Sequence, residues 1–320
     1  MRAGVATPDG LEMRDVPVPE NPGPNEVLVK VKFASLNRAD LQAATGGHGA
    51  ALDSVIGIEW SGEVVETGSA VTDVKPGDRV MCSGRGGYAE YAMTDIGRVW
   101  PLPSGLSFEQ GATLPIALIT MHNALVTKGR LKQGESVLIQ GASSGVGLMG
   151  LQIAKLMGAK RVIGSSTSAE RRGQLKAFGA DLTVDTRDPG WSEEVLKATD
   201  GEGVDLVVDM VSGRTINATM RATKILGRIV NVGRLGGSLA EFDFNQHAQR
   251  RIDYIGVTFR TRSVEEVREI SRLMRADLWD AVSAGKLSLP VARTFALDEA
   301  PTAQEFMAAN DFFGKIMLKV

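Results

Sequence analysis

Cysteine is almost missing from this chain: Cys82 stands alone among 320 residues. A single cysteine excludes an intramolecular disulfide and any zinc cluster built on paired thiolates. Histidine is nearly as scarce, with His48, His122 and His247 scattered along the sequence. An excess of one charge is missing too. Thirty-six Lys and Arg stand against 38 Asp and Glu, a formal net charge of −2. No basic run stands out, so no nucleic-acid or polyanion partner is implied. No stretch approaches the roughly eighteen uninterrupted apolar residues of a membrane span. The opening Met1-Arg-Ala-Gly-Val-Ala reads as the start of a strand and not as a signal peptide. The expectation is a soluble, cytoplasmic protein without membrane or nucleic-acid partners.

Core-forming residues are plentiful. The chain is 43% hydrophobic and long enough for two domains of ordinary size. Its 37 glycines are dispersed, which argues for many tight turns and against low complexity.

The most informative stretch is Ser136 to Gly158. Ser136–Gln140 is a short apolar run with the length of a buried strand. Gly141 to Gly147 is a tight glycine turn, and Leu148, Leu151, Ala154 and Leu156 then recur at helical spacing up to Gly158. Gly145, Gly147 and Gly150 fit G-x-G-x-x-G in the strand–turn–helix context that a dinucleotide-binding fingerprint requires. A pyrophosphate must reach bare backbone N–H groups at a helix N-terminus, which a Cβ would block. Gly150 is expected to let the helix lie close to the sheet. Ala142, Ser143, Ser144, Gly145, Val146 and Gly147 are therefore candidate cofactor contacts.

Around this stretch the chain changes rhythm. Residues 1 to about 118 read mainly as β. Val27, Val29, Val31 and Phe33 alternate with Lys30 and Lys32, and Gly86 to Ala92 reads as a further short strand. Beyond Phe108, helix and strand signals alternate, as in a doubly wound parallel sheet. Arg161-Val-Ile163, Val204 to Val211 and Arg228 to Val232 supply strands, and Ile252 to Phe259 reads as the last. Ser263-Val-Glu-Glu266 has the spacing of a capping box and starts a long helix. Lys315 to Val320 is a closing strand.

Several of these segments together resemble the medium-chain dehydrogenase/reductase superfamily, and within it the zinc-independent quinone oxidoreductase (zeta-crystallin-like) branch. They are Ser35-Leu-Asn-Arg-Ala-Asp-Leu41, Gly57-Ile-Glu-Trp-Ser-Gly-Glu-Val64, Lys75-Pro-Gly-Asp-Arg-Val80, Gly86-Gly-Tyr-Ala-Glu-Tyr91, the Ala142–Gly147 turn and Gly314-Lys-Ile-Met-Leu318. The resemblance implies an α/β protein. A GroES-like, β-rich catalytic domain (1–118 and 263–320) would enclose a Rossmann NAD(P)-binding domain (119–262). It also implies a homodimer, here expected to join through the sheet edge near Ile252–Phe259. Zinc-dependent relatives carry a Cys at about Asn37 and a His just before Glu59, where this chain has Ile58, so no metal is expected. The tyrosines often found in this branch after the Asn-x-x-Asp segment and near the adenine are replaced by His48 and Thr186.

The resemblance places Asn37 and Thr120 near the nicotinamide, Asp40 as a turn-holding residue, and Val211, Val232 and Gly233 on the cofactor side. Asn37 otherwise reads as a helix cap, Thr120 as a helix-face residue, and Tyr88 and Tyr91 as packing. His48, in a glycine-flanked loop, is a candidate proton donor or substrate contact, or a solvated loop histidine. Ser165, Ser166, Thr167, Ser168 and Arg171 follow the second Rossmann strand, where an NAD enzyme usually carries an acidic residue. Hydroxyls with an arginine behind them suit the 2′-phosphate of NADPH; Arg172 is the rival for that role. The functional expectation is NADPH-dependent hydride transfer to a quinone or an α,β-unsaturated carbonyl. The alternative is a non-catalytic NADPH-binding protein, a redox sensor or crystallin-like protein.

Overall fold

The computed structural model describes residues 1 to 320. The chain divides into two units, Met1–Ile116 with Phe259–Val320, and Ala117–Thr258. No helix is long and apolar enough to cross a membrane.

The first unit begins with a hairpin, β1 (Arg2–Thr7) and β2 (Gly10–Asp15). Then come β3 (Glu26–Ser35), α1 (Arg38–Ala43), β4 (Glu59–Thr67), β5 (Arg79–Ser83), β6 (Tyr91–Asp95), β7 (Val99–Pro101) and α2 (Phe108–Ala112). β3 shows the alternation in part: Val27, Val29 and Val31 are buried and Lys30 is exposed, but Leu28 is buried too, and Lys32 and Phe33 are both half-buried. The β6 strand starts at Tyr91, not at Gly86. Gly86 has φ 85°, and the chain bends there so that Tyr88 enters the core fully buried.

The second unit is built on one parallel sheet. After α3 (Pro115–His122) come β8 (Ser136–Gln140), α4 (Gly145–Leu156), β9 (Arg161–Ser165), α5 (Ala169–Gln174), β10 (Leu182–Val184) and α6 (Trp191–Ala198). β11 (Val204–Asp209), α7 (Ile216–Ala222), β12 (Thr223–Asn231), α8 (Phe244–Arg250) and β13 (Asp253–Gly256) complete it. The strand order is β10-β9-β8-β11-β12-β13, and all five pairings are parallel. Each strand but the edges is covered on both faces, which explains the near-continuous apolar runs such as Val137-Leu-Ile139. β12 starts at Thr223, ahead of the apolar run at Arg228, because Val204 pairs with Thr223 across a register shift.

The chain then returns to the first unit. α9 (Val264–Ser283) opens with the capping box read from the sequence, Ser263 and Glu266 satisfying each other's backbone N–H. β14 (Val291–Ala296), α10 (Ala300–Ala309) and β15 (Lys315–Lys319) follow. β15 pairs antiparallel with β3, joining residues from the two ends of the sequence in one seven-stranded sheet.

Candidate cofactor cradle and buried polar network

In the second unit the loops after β8, β9, β11 and β12 converge, at the carboxyl ends of the strands where open α/β sheets bind ligands. β8 is followed by Gly141, whose φ of 72° turns the chain into α4. Ser144 caps the helix: its Oγ donates to the Gly141 carbonyl (2.9 Å) and accepts the Gly147 N–H (3.1 Å). The first N–H groups of α4, at Gly145 and Val146, have no acceptor within their own helix. A Cβ on Gly147 would sit 2.6 Å from the Gly141 carbonyl oxygen, so turn and helix can close only on glycine. Gly150 departs from expectation. Its missing Cβ faces Met121 of α3, 2.9 Å from the sulfur, and allows a helix–helix contact instead of a helix–sheet one.

The loop after β9 is tied to this turn. Ser165 Oγ accepts the Gly141 N–H (3.1 Å), and Ser166 Oγ donates to Ser143 Oγ (3.0 Å). Both serines are buried. Ser168 caps α5 by accepting the Arg171 N–H (3.3 Å), while Thr167 is exposed. The serines thus build the loop: Ser166 gives its proton to Ser143, while Ser165 and Ser168 accept backbone N–H groups and keep their own O–H donors. Arg172 is likewise engaged, with the Ser166 carbonyl (2.7 Å) and Asp185 (2.8 Å).

Asp185 and Arg187 were not anticipated. No carboxylate ends β9, but Asp185, just past β10, reaches under its loop. Arg187 holds it through Nε (3.2 Å) and Nη2 (2.8 Å) and also donates to the Thr167 carbonyl. The Arg187 bond, aided by Arg172, lowers the Asp185 carboxyl to about 2. Its negative charge is thus matched by two arginines, Arg172 and Arg187.

The third wall is organised by Asp209, at the end of β11. Its Oδ1 accepts the N–H of Val211 (2.8 Å) and Ser212 (2.9 Å), and its carbonyl accepts from Val232 and Gly233. Burial raises the Asp209 carboxyl above its ordinary value, outweighing those bonds. Ser212 has φ 57° and ψ −148°, a region that is almost glycine's alone. Its hydroxyl donates to the Gly233 carbonyl (2.8 Å) and accepts from Asn231. Val211, Val232 and Gly233 are thereby brought together. The Val211 side chain and Met210 lie 3.6 Å from where a Cβ on Gly141 would stand. Thr120, partly buried on α3, makes no hydrogen bond with these loops.

In the first unit, Asn37 is the N-cap residue of α1, but the backbone cap is supplied by Asp40, whose Oδ2 accepts the Asn37 N–H (2.8 Å). The Asn37 amide is held at both ends. Nδ2 donates to Glu59 Oε1 (2.9 Å), and Oδ1 accepts from Lys315 Nζ (3.1 Å). Lys315 also donates to Glu59 Oε1 and to the Leu36 carbonyl (3.2 Å), and Glu59 Oε2 accepts the Ile116 N–H (2.9 Å). Tyr88 donates to Asp40 Oδ2 (2.7 Å), leaving Asp40 Oδ1 buried without a partner. Burial pushes the Asp40 carboxyl up to about 7, against the lowering effect of Tyr88, the Asn37 N–H and Lys315. Burial and the neighbouring Asp40 hold the Tyr88 phenol protonated, well above its ordinary range. Glu59 and Lys315 lie in segments that carry the family resemblance, but nothing in the sequence shows that they meet.

His48 does not join this network. It sits in a left-handed conformation, φ 53°, with Nδ1 3.3 Å from Gln42 Oε1 of α1. Burial, with help from Arg260 and Arg85, lowers its pKa, so the ring is held neutral at neutral pH.

Known proteins match this architecture along its length. Residues 23–104 match the alcohol dehydrogenase GroES-like domain, and residues 145–276 the family described as zinc-binding dehydrogenase. The quinone oxidoreductase of Mus musculus is 30% identical over 91% of this chain and 86% of its own. A solved Escherichia coli quinone oxidoreductase complexed with NADPH superposes with a TM-score of 0.88 at 25% identity, covering 100% of this chain and 99% of its own. A solved NAD-dependent alcohol dehydrogenase superposes at 0.85 with 31% identity and full coverage of both chains. The chain belongs to the quinone oxidoreductase branch of the medium-chain dehydrogenase/reductase superfamily and is an oxidoreductase.

Proposed function

We infer that this oxidoreductase passes hydride from NADPH to a quinone or an α,β-unsaturated carbonyl, without a metal. Unit Ala117–Thr258 serves as the cofactor domain and the other unit as the catalytic domain. The observation that carries the reading is the Lys315–Glu59–Asn37 network. The residues at the expected zinc-ligand positions do not suit the ion. Asn37 is a neutral amide bound at both ends, one of them to an ammonium, and Ile58 has no donor atom. A zinc ion needs convergent N, S or O ligands with lone pairs to give.

The cofactor cradle fits NADPH. The N–H groups at the start of α4 would hold the pyrophosphate, and the loop after β9 would hold the 2′-phosphate, with Arg171 as its arginine. Arg172 holds Asp185 in place. Bound NADPH supplies the hydride from its nicotinamide. The loops closed by Asp209 and Ser212 set the backbone against which that ring would lie. A conjugated acceptor spreads the incoming charge, so the chain needs fewer strong electrophiles than a metal site provides. His48, neutral at working pH, can donate a hydrogen bond but holds no ready proton, so solvent protonates the product.

Steady-state assays test this. NADPH oxidation with 1,4-quinones and short enones, unaffected by chelators, is expected, with negligible oxidation of ethanol or benzyl alcohol. Alcohol oxidation linked to NAD or NADP, without quinone or enone activity, would overturn it. NADPH binding with no turnover of any acceptor would leave a non-catalytic binding protein.

A further inference from the structure

One cavity in unit Ala117–Thr258 has no task in the reading above. It measures about 170 Å³ and lies among the loop after β11, the loop after β12 and the edge strand β13. Every residue that lines it belongs to that one unit.

The walls are fixed by their own contacts. The N–H groups of Leu235 (3.2 Å) and Gly236 (2.7 Å) donate to the Met210 and Val211 carbonyls. A Cβ on Gly213 would collide with the Gly236 carbonyl oxygen, so the two loops meet backbone to backbone. Asn217 of α7 pins the returning chain: Oδ1 accepts the Asp243 N–H (3.0 Å), and Nδ2 donates to the Glu241 carbonyl (3.3 Å). Phe242 then packs its ring against Tyr254 of β13 and against Phe244, with centroids 6.2 and 5.0 Å apart.

Ile216, Leu239 and Phe242 give the cavity apolar surface, and Arg234, Ser238 and Tyr254 give it polar groups. No acceptor engages the Arg234 guanidinium, and the Ser238 hydroxyl is likewise unbonded. Asp209 lies behind Ser212, its Oδ1 already taken by two backbone N–H groups, and makes no ion pair with Arg234. Burial and Asp209 raise the Tyr254 phenol, outweighing Arg234 and Asn231, so Tyr254 keeps its proton. A cavity of about 150 Å³ accepts a benzene ring, so this one has room for one ring and a small substituent. An unpaired guanidinium fork suits a planar carboxylate.

We propose that this cavity is a second ligand site, one for a single-ring aromatic carboxylate. The carboxylate bonds to Arg234, and the ring packs against Ile216, Leu239 and Phe242. The site goes beyond hydride transfer and does not depend on it. The cofactor's phosphates are provided for at α4 and at the loop after β9, so the carboxylate does not stand in for one of them. Ser212 also lines the cavity, and its hydroxyl holds the Gly233 carbonyl, so the site shares a wall with the cofactor-side loops.

Calorimetric titration of the full-length protein with benzoate and with benzyl alcohol, without any nucleotide, tests the site. Benzoate should bind ten- to hundred-fold more tightly, the span of a hydrogen bond to a charged group. High salt should shrink that preference. Arg234→Gln should abolish it and, because the side chain is exposed and unpartnered, leave the melting temperature unchanged. Protein saturated with NADP⁺ should bind benzoate as the free protein does. Equal affinity for acid and alcohol, no binding of either at millimolar concentration, or a preference that survives Arg234→Gln overturns the proposal. An apparent Kd for benzoate that rises in proportion to NADP⁺ moves the anion into the cofactor's own place and also overturns it.

Discussion

Replacing Asp40 by Asn should stabilise the protein at pH 8 and change it little at pH 5. Asp40 is fully buried, and its carboxyl is pushed from an ordinary value of 3.8 to about 7. Between those values the folded chain keeps a proton that the unfolded chain has released. Stability therefore falls as pH rises through this window, and the loss is complete above about pH 7. At roughly 1.4 kcal/mol per tenfold, the full window is worth about 4 kcal/mol. An asparagine never takes on that charge. Its Oδ1 can accept from the Asn37 N–H and Tyr88, as Asp40 Oδ2 does, and its Nδ2 replaces the oxygen that has no partner. Urea unfolding of both proteins at pH 5, 6, 7 and 8 gives the difference in stability, in which all other titrations cancel. Over the two units from pH 5 to about pH 7 that difference should grow by about 3 kcal/mol and then level off. A constant difference, or one that shrinks as pH rises, would refute the reasoning.

Three further outcomes follow from the geometry. Lys315→Met strands the buried Glu59 carboxylate and should cost about 3–5 kcal/mol, whereas Lys315→Met with Glu59→Gln should recover most of that in urea midpoints; no recovery would mean that the pair is not the source. Arg171→Ala should lower kcat/KM for NADPH roughly ten- to hundred-fold and spare NADH, while Arg172→Ala, by removing the bonds to Asp185 and to the Ser166 carbonyl, should also lower the melting temperature. Equal use of both cofactors by the wild type would reduce the loop after β9 to a helix cap. The edge strand β13, with Tyr254 exposed and one side unpaired, should join a symmetry mate; light scattering should report a dimer that Tyr254→Lys dissociates, and a wild-type monomer at micromolar concentration would exclude it.

What could be read in the sequence was local. The glycine turn, the Ser263–Glu266 capping box and the alternation of β3 each depend on residues a few positions apart. The Asn37 network was hidden because its members come from distant segments: Lys315 and Glu59 lie 256 residues apart. Only the pairing of β15 with β3 brings them together. Asp185 was missed for a similar reason, since it reaches the loop after β9 from the strand beyond. Gly150 shows a subtler limit. Its spacing marked a close approach correctly, but only packing decides that the neighbour is Met121 rather than the sheet. Ser212 gave no signal at all, because nothing in residue type betrays a serine held where glycine is at home.

The late arrival of β15 has a consequence for synthesis on the ribosome. Residues 117–258 emerge as one uninterrupted stretch, so all six strands of the parallel sheet are available before β14 is made. Glu59 must wait. At about 5–20 residues per second, its counter-ion follows on the order of tens of seconds later. Until then the β3 edge at Phe33–Ser35 that β15 will cover is open. A chain broken off ahead of Lys315 keeps its complete dinucleotide fold beside an unsealed sheet. Such a product carries an open strand edge that invites aggregation.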